Sequence, residues 1–492
     1  MSLNASEQVS LSLPNEVARC IPFRTTITDF DRKTILQTIA EVEKELKGCT
    51  AEINKLKATM IALESRRTRL ESAVTRYRTL LAPINRLPPE VLAETFKECC
   101  PWPGEYEELK PSEMPTQVAL SMVCAHWREV AVSSAALWSY FCVSMSWSMP
   151  EAAFPRLLQM VQMFVSRSKQ HPLSIYLSCT SERFCPEIVE LLVQNSHRWY
   201  DVELELSAQN SRKPVFRKLL GQLPSLEKLN LFCSAAGSLS DEFMDVFSHA
   251  PSLRSLELNS SAVSERLLFP VHQIKAITFS QCWFRRMYPV LPLFHDADRV
   301  VFNELAVDGT GPPRSRTVLN ARHLSVVMDE KEGIAPIFDI CTVPRLESLE
   351  VINRDVARDW DVPWDVAPLR ECILRSSCSL TSLRLEKLPI IDDQMISLLQ
   401  ITPCLETLHI VDAEPYMEDD DPDDPHNVTV TTNFLRRLSA HRRDWDTAIS
   451  SSPADHVVPR LKHLTLEVHS EPLDQQALID VVTSRWNPDR CR

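Results

Sequence analysis

The sequence predicts a mixed α/β protein in which a long coiled-coil helix comes first, a short helical segment follows, and parallel strands with return helices make up the rest. Two observations predict the helical part: apolar residues spaced by three and four over six heptads, and two amphipathic stretches with a proline-rich loop between them. A third predicts the strands, because the pattern L-x-x-L-x-L recurs beyond residue 150, mostly at steps of 21 to 34 residues.

Composition and charge exclude several classes of function. The chain has 492 residues, which suggests about three domains of roughly 150 residues each. Its formal net charge of −13 leaves no broad basic field, so neither nucleic acid nor a membrane is expected as a partner. Only 7 residues are glycine, and none of them forms a nucleotide-binding loop or a nucleophile elbow. We therefore expect a non-catalytic protein that needs no cofactor.

The cysteines and the apolar runs predict the compartment. The 15 cysteines are odd in number and contain no C-x-x-C pair, so we expect neither a disulfide framework nor a bound metal. The first residues lack the basic and apolar regions of a secretory signal, and no run of about 18 apolar residues predicts a membrane span. These features predict an intracellular protein, cytoplasmic, nuclear or both.

The N-terminal part divides into a lead and a heptad segment. Residues 1–28 are polar and aperiodic and are predicted to be a disordered lead. Residues 29–82 are predicted to be a coiled coil, because a narrow apolar seam of this length is typical of one. The seam consists of Ile39, Val42, Leu46, Cys49, Ile53, Leu56, Met60, Leu63, Arg67, Leu70, Val74, Tyr77 and Leu81. Two interpretations stay open: this helix pairs with another chain, or it lies along the rest of its own chain.

Residues 83–143 contain two predicted helices and three ordered motifs. The first helix opens at Leu87-Pro88-Pro89-Glu90-Val91-Leu92, with Phe96 in its next turn, and proline suits the first turn of a helix. The second helix, predicted over residues 118–138, carries Val123-Cys124-x-x-Trp127-Arg128 and ends at Leu137-Trp138. This order of motifs resembles an F-box, a three-helix domain. With the coiled coil ahead of it, the segment is similar to F-box proteins of mushroom-forming fungi.

The resemblance implies a place in a ubiquitin ligase of the SCF type. An F-box binds a Skp-type adaptor and, through the adaptor, a cullin. The residues at the matching motif positions are therefore expected to form the adaptor-binding site and the small core beneath it. They are Leu87, Pro88, Val91, Leu92, Phe96, Val123, Trp127, Leu137 and Trp138.

Residues 150–492 resemble a divergent leucine-rich-repeat solenoid. The clearest copies of the repeat are PSLEKLNL (224–231), PSLRSLEL (251–258), PRLESLEV (344–351), CSLTSLRL (378–385), PCLETLHI (403–410) and PRLKHLTL (459–466). An asparagine or cysteine often follows the strand in this family. Ser234, Ser261, Cys282, Leu305 and Arg354 hold that slot here, and because only Cys282 fits, an irregular array is expected. Seven acidic residues within 414–424 predict a loop that resists packing.

The residues between and beside the repeat leucines predict a second binding surface. Side chains alternate across a strand, so these residues point away from the leucine core. Stacked strands would place them on one extended surface, the usual binding side of a solenoid. An unknown target protein is expected to contact Lys228, Asn230, Phe232, Glu257, Asn259, Glu350, Ile352, Arg384, Glu386 and His409.

Two functions follow from these observations. In the first, the chain is the substrate-recognition subunit of an SCF-type ligase, with the F-box on the adaptor and the repeats on the target. In the second, it is a coiled-coil and leucine-rich-repeat scaffold without ligase function, in which the helical hairpin is a structural joint.

Overall fold

The computed structural model describes residues 29–100, 108–146, 148–234, 237–259, 262–263, 267–306, 315–328, 334–354, 364–388, 390–412, 430–439, 457–468 and 474–486. The predicted lead (1–28) and the acidic loop (414–424) lie outside these residues. The chain divides into two compact units, Met1–Pro88 and Pro89–Arg492. Within the described ranges, no helix combines the length and the apolar character needed to cross a membrane.

One helix dominates the first unit. Helix α1 (Asp29–Leu80) has 52 residues, which corresponds to about 78 Å at 1.5 Å per residue. Side chains of the predicted seam lie in solvent along its whole length, from Ile39 at 46% exposed to Tyr77 at 69%. The heptad segment is therefore helical, and the described part of its own unit leaves the seam uncovered.

The second unit alternates helices with strands. Its helices are α2 (Pro89–Cys99), α3 (Thr116–Met122), α4 (Ala125–Ser133), α5 (Phe154–Arg167), α6 (Pro186–Gln194), α7 (Asp241–Met244), α8 (Phe284–Met287), α9 (Ile334–Ile340), α10 (Ala367–Ser376), α11 (Asp392–Gln400), α12 (Thr432–Leu438) and α13 (Gln475–Trp486). Its strands are β1 (Tyr140–Ser144), β2 (Leu173–Cys179), β3 (Trp199–Ser207), β4 (Lys228–Ser234), β5 (Ser255–Asn259), β6 (Ala276–Ser280), β7 (Arg299–Asn303), β8 (Thr317–Val318), β9 (His323–Met328), β10 (Cys341–Thr342), β11 (Ser348–Asn353), β12 (Ser382–Glu386), β13 (Thr407–Val411) and β14 (His463–Glu467).

The sheet follows the order of the chain. Twelve strands form one open sheet in the order β1–β7, β9 and β11–β14, and β8 pairs with β10 apart from it. Every neighbouring pair is parallel. The predicted mixed α/β class with parallel strands is thus confirmed.

The strand register aligns the repeat leucines in two rows. The first row is Val202, Leu229, Leu256, Ile277, Val300, Leu324, Leu349, Leu383, Leu408 and Leu464. The second is Leu204, Leu231, Leu258, Phe279, Phe302, Val326, Val351, Leu385, Ile410 and Leu466. From β3 to β13 every member is at most 2% exposed, and burying one such side chain contributes about 1.5–3 kcal/mol. These rows are the core that the L-x-L spacing predicts.

A left-handed turn of the same form follows each of three strands, β6, β7 and β12. Gln281, Glu304 and Lys387 each follow a strand directly and have positive φ angles of 50°, 54° and 53°. Each donates its backbone N–H to a carbonyl at the end of the next strand, at 2.8, 2.8 and 2.7 Å. In a chain with so few glycines, non-glycine residues make these left-handed turns.

The structure departs from the sequence prediction at two places. The single helix predicted over 118–138 is wrong, because Cys124 is extended (φ −157°) and its Sγ accepts the N–H of Trp127 as the cap of α4. In addition, the sheet begins before the first predicted repeat, since β1 starts at Tyr140, inside the segment 83–143. Residues 141–143 of β1 are all buried, so this strand lacks the alternation that reveals the later ones.

Candidate protein-binding surfaces

The hairpin of α2, α3 and α4 has a small aromatic core. Leu92 and Phe96 of α2 are at most 1% exposed. The Phe96 ring packs against the ring of Trp127 in α4, with centroids 4.9 Å apart at a tilt of 55°. Trp127 is only half-buried, so one part of its ring supports the core and another reaches the surface.

The closing Leu137-Trp138 pair attaches the hairpin to the sheet. Trp138 is fully buried, and its indole N–H donates to the carbonyl of Ala131 at 2.7 Å. Its ring meets Phe164 of α5 edge-on at 5.2 Å, and the guanidinium of Arg167 lies 4.4 Å from the ring centroid. Leu137 is 4% exposed. Both residues of the closing motif therefore belong to the core, with no side-chain surface for a partner.

Exposed apolar side chains lie on the same helices. Val91 of α2 is 47% exposed, and Val123, just after α3, is 60% exposed. Met122 (59%) and Met114 (56%) are equally open, and sequence reasoning missed both. Val123 is exposed because α3 ends just before the extended residue Cys124. One continuous helix would have placed Val123 on the same apolar face as Trp127.

The seven predicted adaptor residues that lie in the second unit fall into two groups. Leu92, Phe96, Leu137 and Trp138 are buried and support the surface from beneath. Val91, Val123 and the half-buried Trp127 remain available to a partner. In the first unit, Pro88 is exposed and Leu87 is half-buried.

The non-core face of the sheet carries most of the predicted target-binding residues. Lys228 and Arg384 are exposed, whereas Asn230, Phe232, Glu257, Glu350, Ile352, Glu386 and His409 are half-buried. Arg384 Nε lies 2.7 Å from Glu386 Oε1, and the same oxygen is 3.4 Å from Nε2 of His409. This part of the face thus presents a compact set of charges of both signs.

Asn259, which the sequence assigns to the target surface, is nearly buried and bonds to backbone groups of its own chain. It is 9% exposed, and its Oδ1 accepts the backbone N–H groups of Cys233 (3.0 Å) and Ala262 (3.2 Å). Its Nδ2 donates to the Cys233 carbonyl at 3.2 Å. All three bonds go to backbone groups near the ends of β4 and β5, and they use three of the four hydrogen-bonding positions of the amide.

Polar side chains do connect the ends of successive strands. Most of them do not stand at the third position after the last repeat residue, where the family pattern predicts them. Asn210 Nδ2 donates to the Cys179 carbonyl at 2.8 Å, and Asn353 Nδ2 donates to the Lys387 carbonyl at 3.1 Å. Cys282, which the sequence did single out, donates from Sγ to the Leu258 carbonyl at 3.4 Å. Asn259 and Asn353 stand one and two positions after the last repeat residue instead of three, which is why the slot seemed empty.

Two carboxylates on the same face, Glu205 and Glu257, are half-buried, and of these the sequence singled out only Glu257. Glu205 accepts hydrogen bonds from Tyr176 (2.6 Å) and Ser178 (2.8 Å) across the β2–β3 pair. Burial, and then the hydrogen bond to Glu205, raises the pKa of the Tyr176 hydroxyl. Glu257 accepts the Ser280 hydroxyl, and burial raises the pKa of the Glu257 carboxyl. Little in the sequence indicated these hydrogen bonds, because β2, which carries Tyr176 and Ser178, has no copy of the leucine pattern.

Chemistry of other kinds has little support in the described residues. Among them, no group of three or more His, Cys, Asp or Glu side chains is placed to hold a metal ion. A cavity of about 370 Å³ lies where the hairpin meets the first strands, lined by Lys97, Gln117, Tyr140, His171 and Tyr200 among others. Gln117 is 2% exposed, and its Oε1 has no hydrogen-bond partner among the residues that the structure describes.

No family model matches the chain, and no curated protein matches it either.

Proposed function

We propose that this chain is the substrate-recognition subunit of an SCF-type ubiquitin ligase inside the cell. The hairpin of α2–α4 binds a Skp-type adaptor and, through it, a cullin. The sheet, as a leucine-rich-repeat solenoid, binds the target protein on its non-core face. The resemblance of residues 83–143 to an F-box is the basis of the proposal.

The exposed valines of the hairpin are the observation that carries the adaptor site. Val91 and Val123 each leave about half or more of their side chain in water, at 47% and 60% exposed. Exposed apolar side chains on a small domain are the kind of surface that a protein partner covers. The buried Phe96–Trp127 contact supports the same interpretation, since it holds α2 and α4 in a fixed relation.

The regularity of the sheet supports the solenoid. Its strands follow chain order, all pairs are parallel, and two apolar rows run through the repeats. Strand ends are bridged by the backbone bonds of Asn259 and Asn353, a repeating device of the kind that leucine-rich repeats use. A face built in this way offers one extended surface for a protein target.

The scaffold function is the second candidate, and the exposed seam of α1 favours it. A helix of 52 residues with an open apolar stripe would serve as an assembly device whether or not a ligase is attached. In that case the exposed valines of the hairpin would have no adaptor to contact.

Isolation of the tagged chain from cells distinguishes the two functions. The ligase proposal predicts that adaptor and cullin are recovered together, and that depleting the adaptor removes the cullin as well. If neither the adaptor nor the cullin is recovered, the ligase proposal is contradicted and the scaffold function is favoured. Recovery of the cullin after adaptor depletion would contradict the assigned route of attachment.

A further inference from the structure

The seam of α1 is an apolar stripe that nothing in the described part of the first unit covers. Leu46, Leu56 and Leu63 are 67%, 63% and 59% exposed, although leucine is usually buried. We propose that a second copy of this chain covers the seam, and that the two α1 helices form a parallel, in-register, two-stranded coiled coil. This proposal does not depend on the ligase function.

The residue types in the seam favour a parallel pair. In heptad notation the a positions are Ile39, Leu46, Ile53, Met60, Arg67, Val74 and Leu81, and the d positions are Val42, Cys49, Leu56, Leu63, Leu70 and Tyr77. Three of the a residues are β-branched, and leucine occupies three successive d positions. β-Branched residues at a with leucine at d favour parallel dimers over trimers and tetramers.

The charges beside the seam fit the same arrangement. In a parallel in-register pair, each g residue faces the e residue five positions later on the other helix. Glu52 then faces Lys57, and Arg66 faces Glu71, each twice because of the two-fold symmetry. The other g–e pairs between residues 38 and 78 each contain an uncharged residue, so no like charges meet. The partner is therefore complementary in charge as well as in apolar surface.

Arg67 sets the register. Its guanidinium lies 3.6 Å from the carboxylate of Glu71, and both side chains are more than 60% exposed. In register, the two Arg67 side chains share one polar layer. A shift by one heptad, or an antiparallel pairing, would place each Arg67 against an apolar residue and create two such layers. A single polar a position specifies alignment in this manner at some cost in stability.

The assembly would make the molecule bivalent. In a parallel pair both copies continue into residues 83–492 from the same end of the coiled coil. Two hairpins and two sheet faces would then belong to one particle. Linking two binding sites in this way raises avidity by roughly 10²–10⁴ when both can engage.

Cys49 provides a direct test of orientation in the full-length chain. It occupies a d position and has an exposed thiol, so a parallel in-register pair places the two Cys49 residues in one layer, within reach of a disulfide. Diamide would oxidise them, taking two electrons and two protons as the S–S bond forms. We expect a dimer by sedimentation equilibrium and a covalent dimer on a non-reducing gel, with the Cys49–Cys49 link identified by mass spectrometry. Cys49→Ser should lose the covalent link and keep the dimer mass.

A matched pair of variants tests the seam itself. Leu56→Asp with Leu63→Asp should give a monomer in which the sheet unit unfolds at an unchanged temperature. Ala58→Asp with Ser65→Asp adds the same charge at two outward f positions and should leave the dimer intact. A wild-type monomer, a higher oligomer, or a dimer in which Cys49 does not crosslink would each overturn the proposal.

Discussion

The rings of Phe96 and Trp127 connect the first and second motifs of the hairpin, with centroids 4.9 Å apart. Phe96 belongs to the first motif and is 1% exposed, whereas Trp127 belongs to the second and is half-buried. The contact therefore fixes α2 against α4 from within. It leaves the valines at the start of α2 and after α3 free to meet a partner.

The bonds of Asn259 make a prediction about stability. Asn259→Ala would remove the side-chain acceptor of the Cys233 N–H and the amide donor to the Cys233 carbonyl. We expect the free energy of unfolding to fall by about 1–3 kcal/mol, the usual cost of unsatisfied buried groups. Asn230→Ala, on the half-exposed part of the same face, is the control and should change it by less than about 0.5 kcal/mol. Equal effects in urea titrations would contradict the structural role of Asn259.

The raised pKa of Glu257 makes a prediction about pH. A carboxyl whose folded-state pKa is raised binds more protons in the folded state, so the free energy of unfolding falls as pH rises from about 4.3, the unfolded value, through the folded-state pKa. Glu257→Gln stays neutral and keeps an acceptor for Ser280. It should therefore be more stable than the parent at neutral pH and equal to it below about pH 4.

The same substitution at Glu350 serves as the control for that experiment. Arg384 is the register neighbour of Glu350, so neutralising this carboxylate removes a favourable neighbour. Glu350→Gln should not gain stability at neutral pH. A Glu257→Gln protein that is no more stable than the parent above the titration range would contradict the assignment.

The sequence predicted the core of the repeats well because one physical rule governs it. Leucines at L-x-L spacing must face one side of a strand, and positions such as Leu229 and Leu231 are fully buried as expected. The sequence pattern did not predict the positions at which a side chain bonds to backbone groups of a neighbouring strand. Asn259 lies beside the last repeat residue and looks exposed in the pattern, yet its amide bonds the N–H and the carbonyl of Cys233, which the neighbouring strand supplies.

The hairpin shows the same limit. The apolar stripe through Val123 and Trp127 suggested one helix, but the local bond from Trp127 N–H to Cys124 Sγ starts a new one. The boundary of the hairpin was equally hard to see, since β1 follows directly after Trp138 and pairs with β2. Deleting residues 83–143 would therefore remove the first strand of the sheet, and point variants test the hairpin more cleanly.

The charged part of the sheet face makes a prediction about the target. Exchanging Arg384 and Glu386, as Arg384→Glu with Glu386→Arg, keeps both charges on β12 but sets a carboxylate opposite Glu350, so the chain should lose about 1 kcal/mol or less and remain folded. Combined with Phe232→Ala, it should weaken capture of a target identified with the wild-type chain by about tenfold, or ~1.4 kcal/mol. Undiminished capture would place the binding site elsewhere on the molecule.

The opening of the first helix makes a further prediction. Pro88 is exposed and Leu87 is half-buried, so Leu87→Ala with Pro88→Ala changes little of the hairpin core. We expect weaker capture of the adaptor and an unchanged unfolding temperature of the sheet unit. Full adaptor capture by this double variant would remove both residues from the proposed surface.

Titration of the full-length chain with a purified Skp-type adaptor tests the central claim most directly. The account predicts one adaptor per chain, and a loss of at least roughly a hundredfold in affinity, about 2.7 kcal/mol, for Val91→Asp with Val123→Asp. Val318→Asp places the same charge at a 54% exposed valine of β8, outside the hairpin, and should bind as the parent does. No binding by the wild-type chain, or equal binding by the Val91 and Val123 variant, would contradict the account.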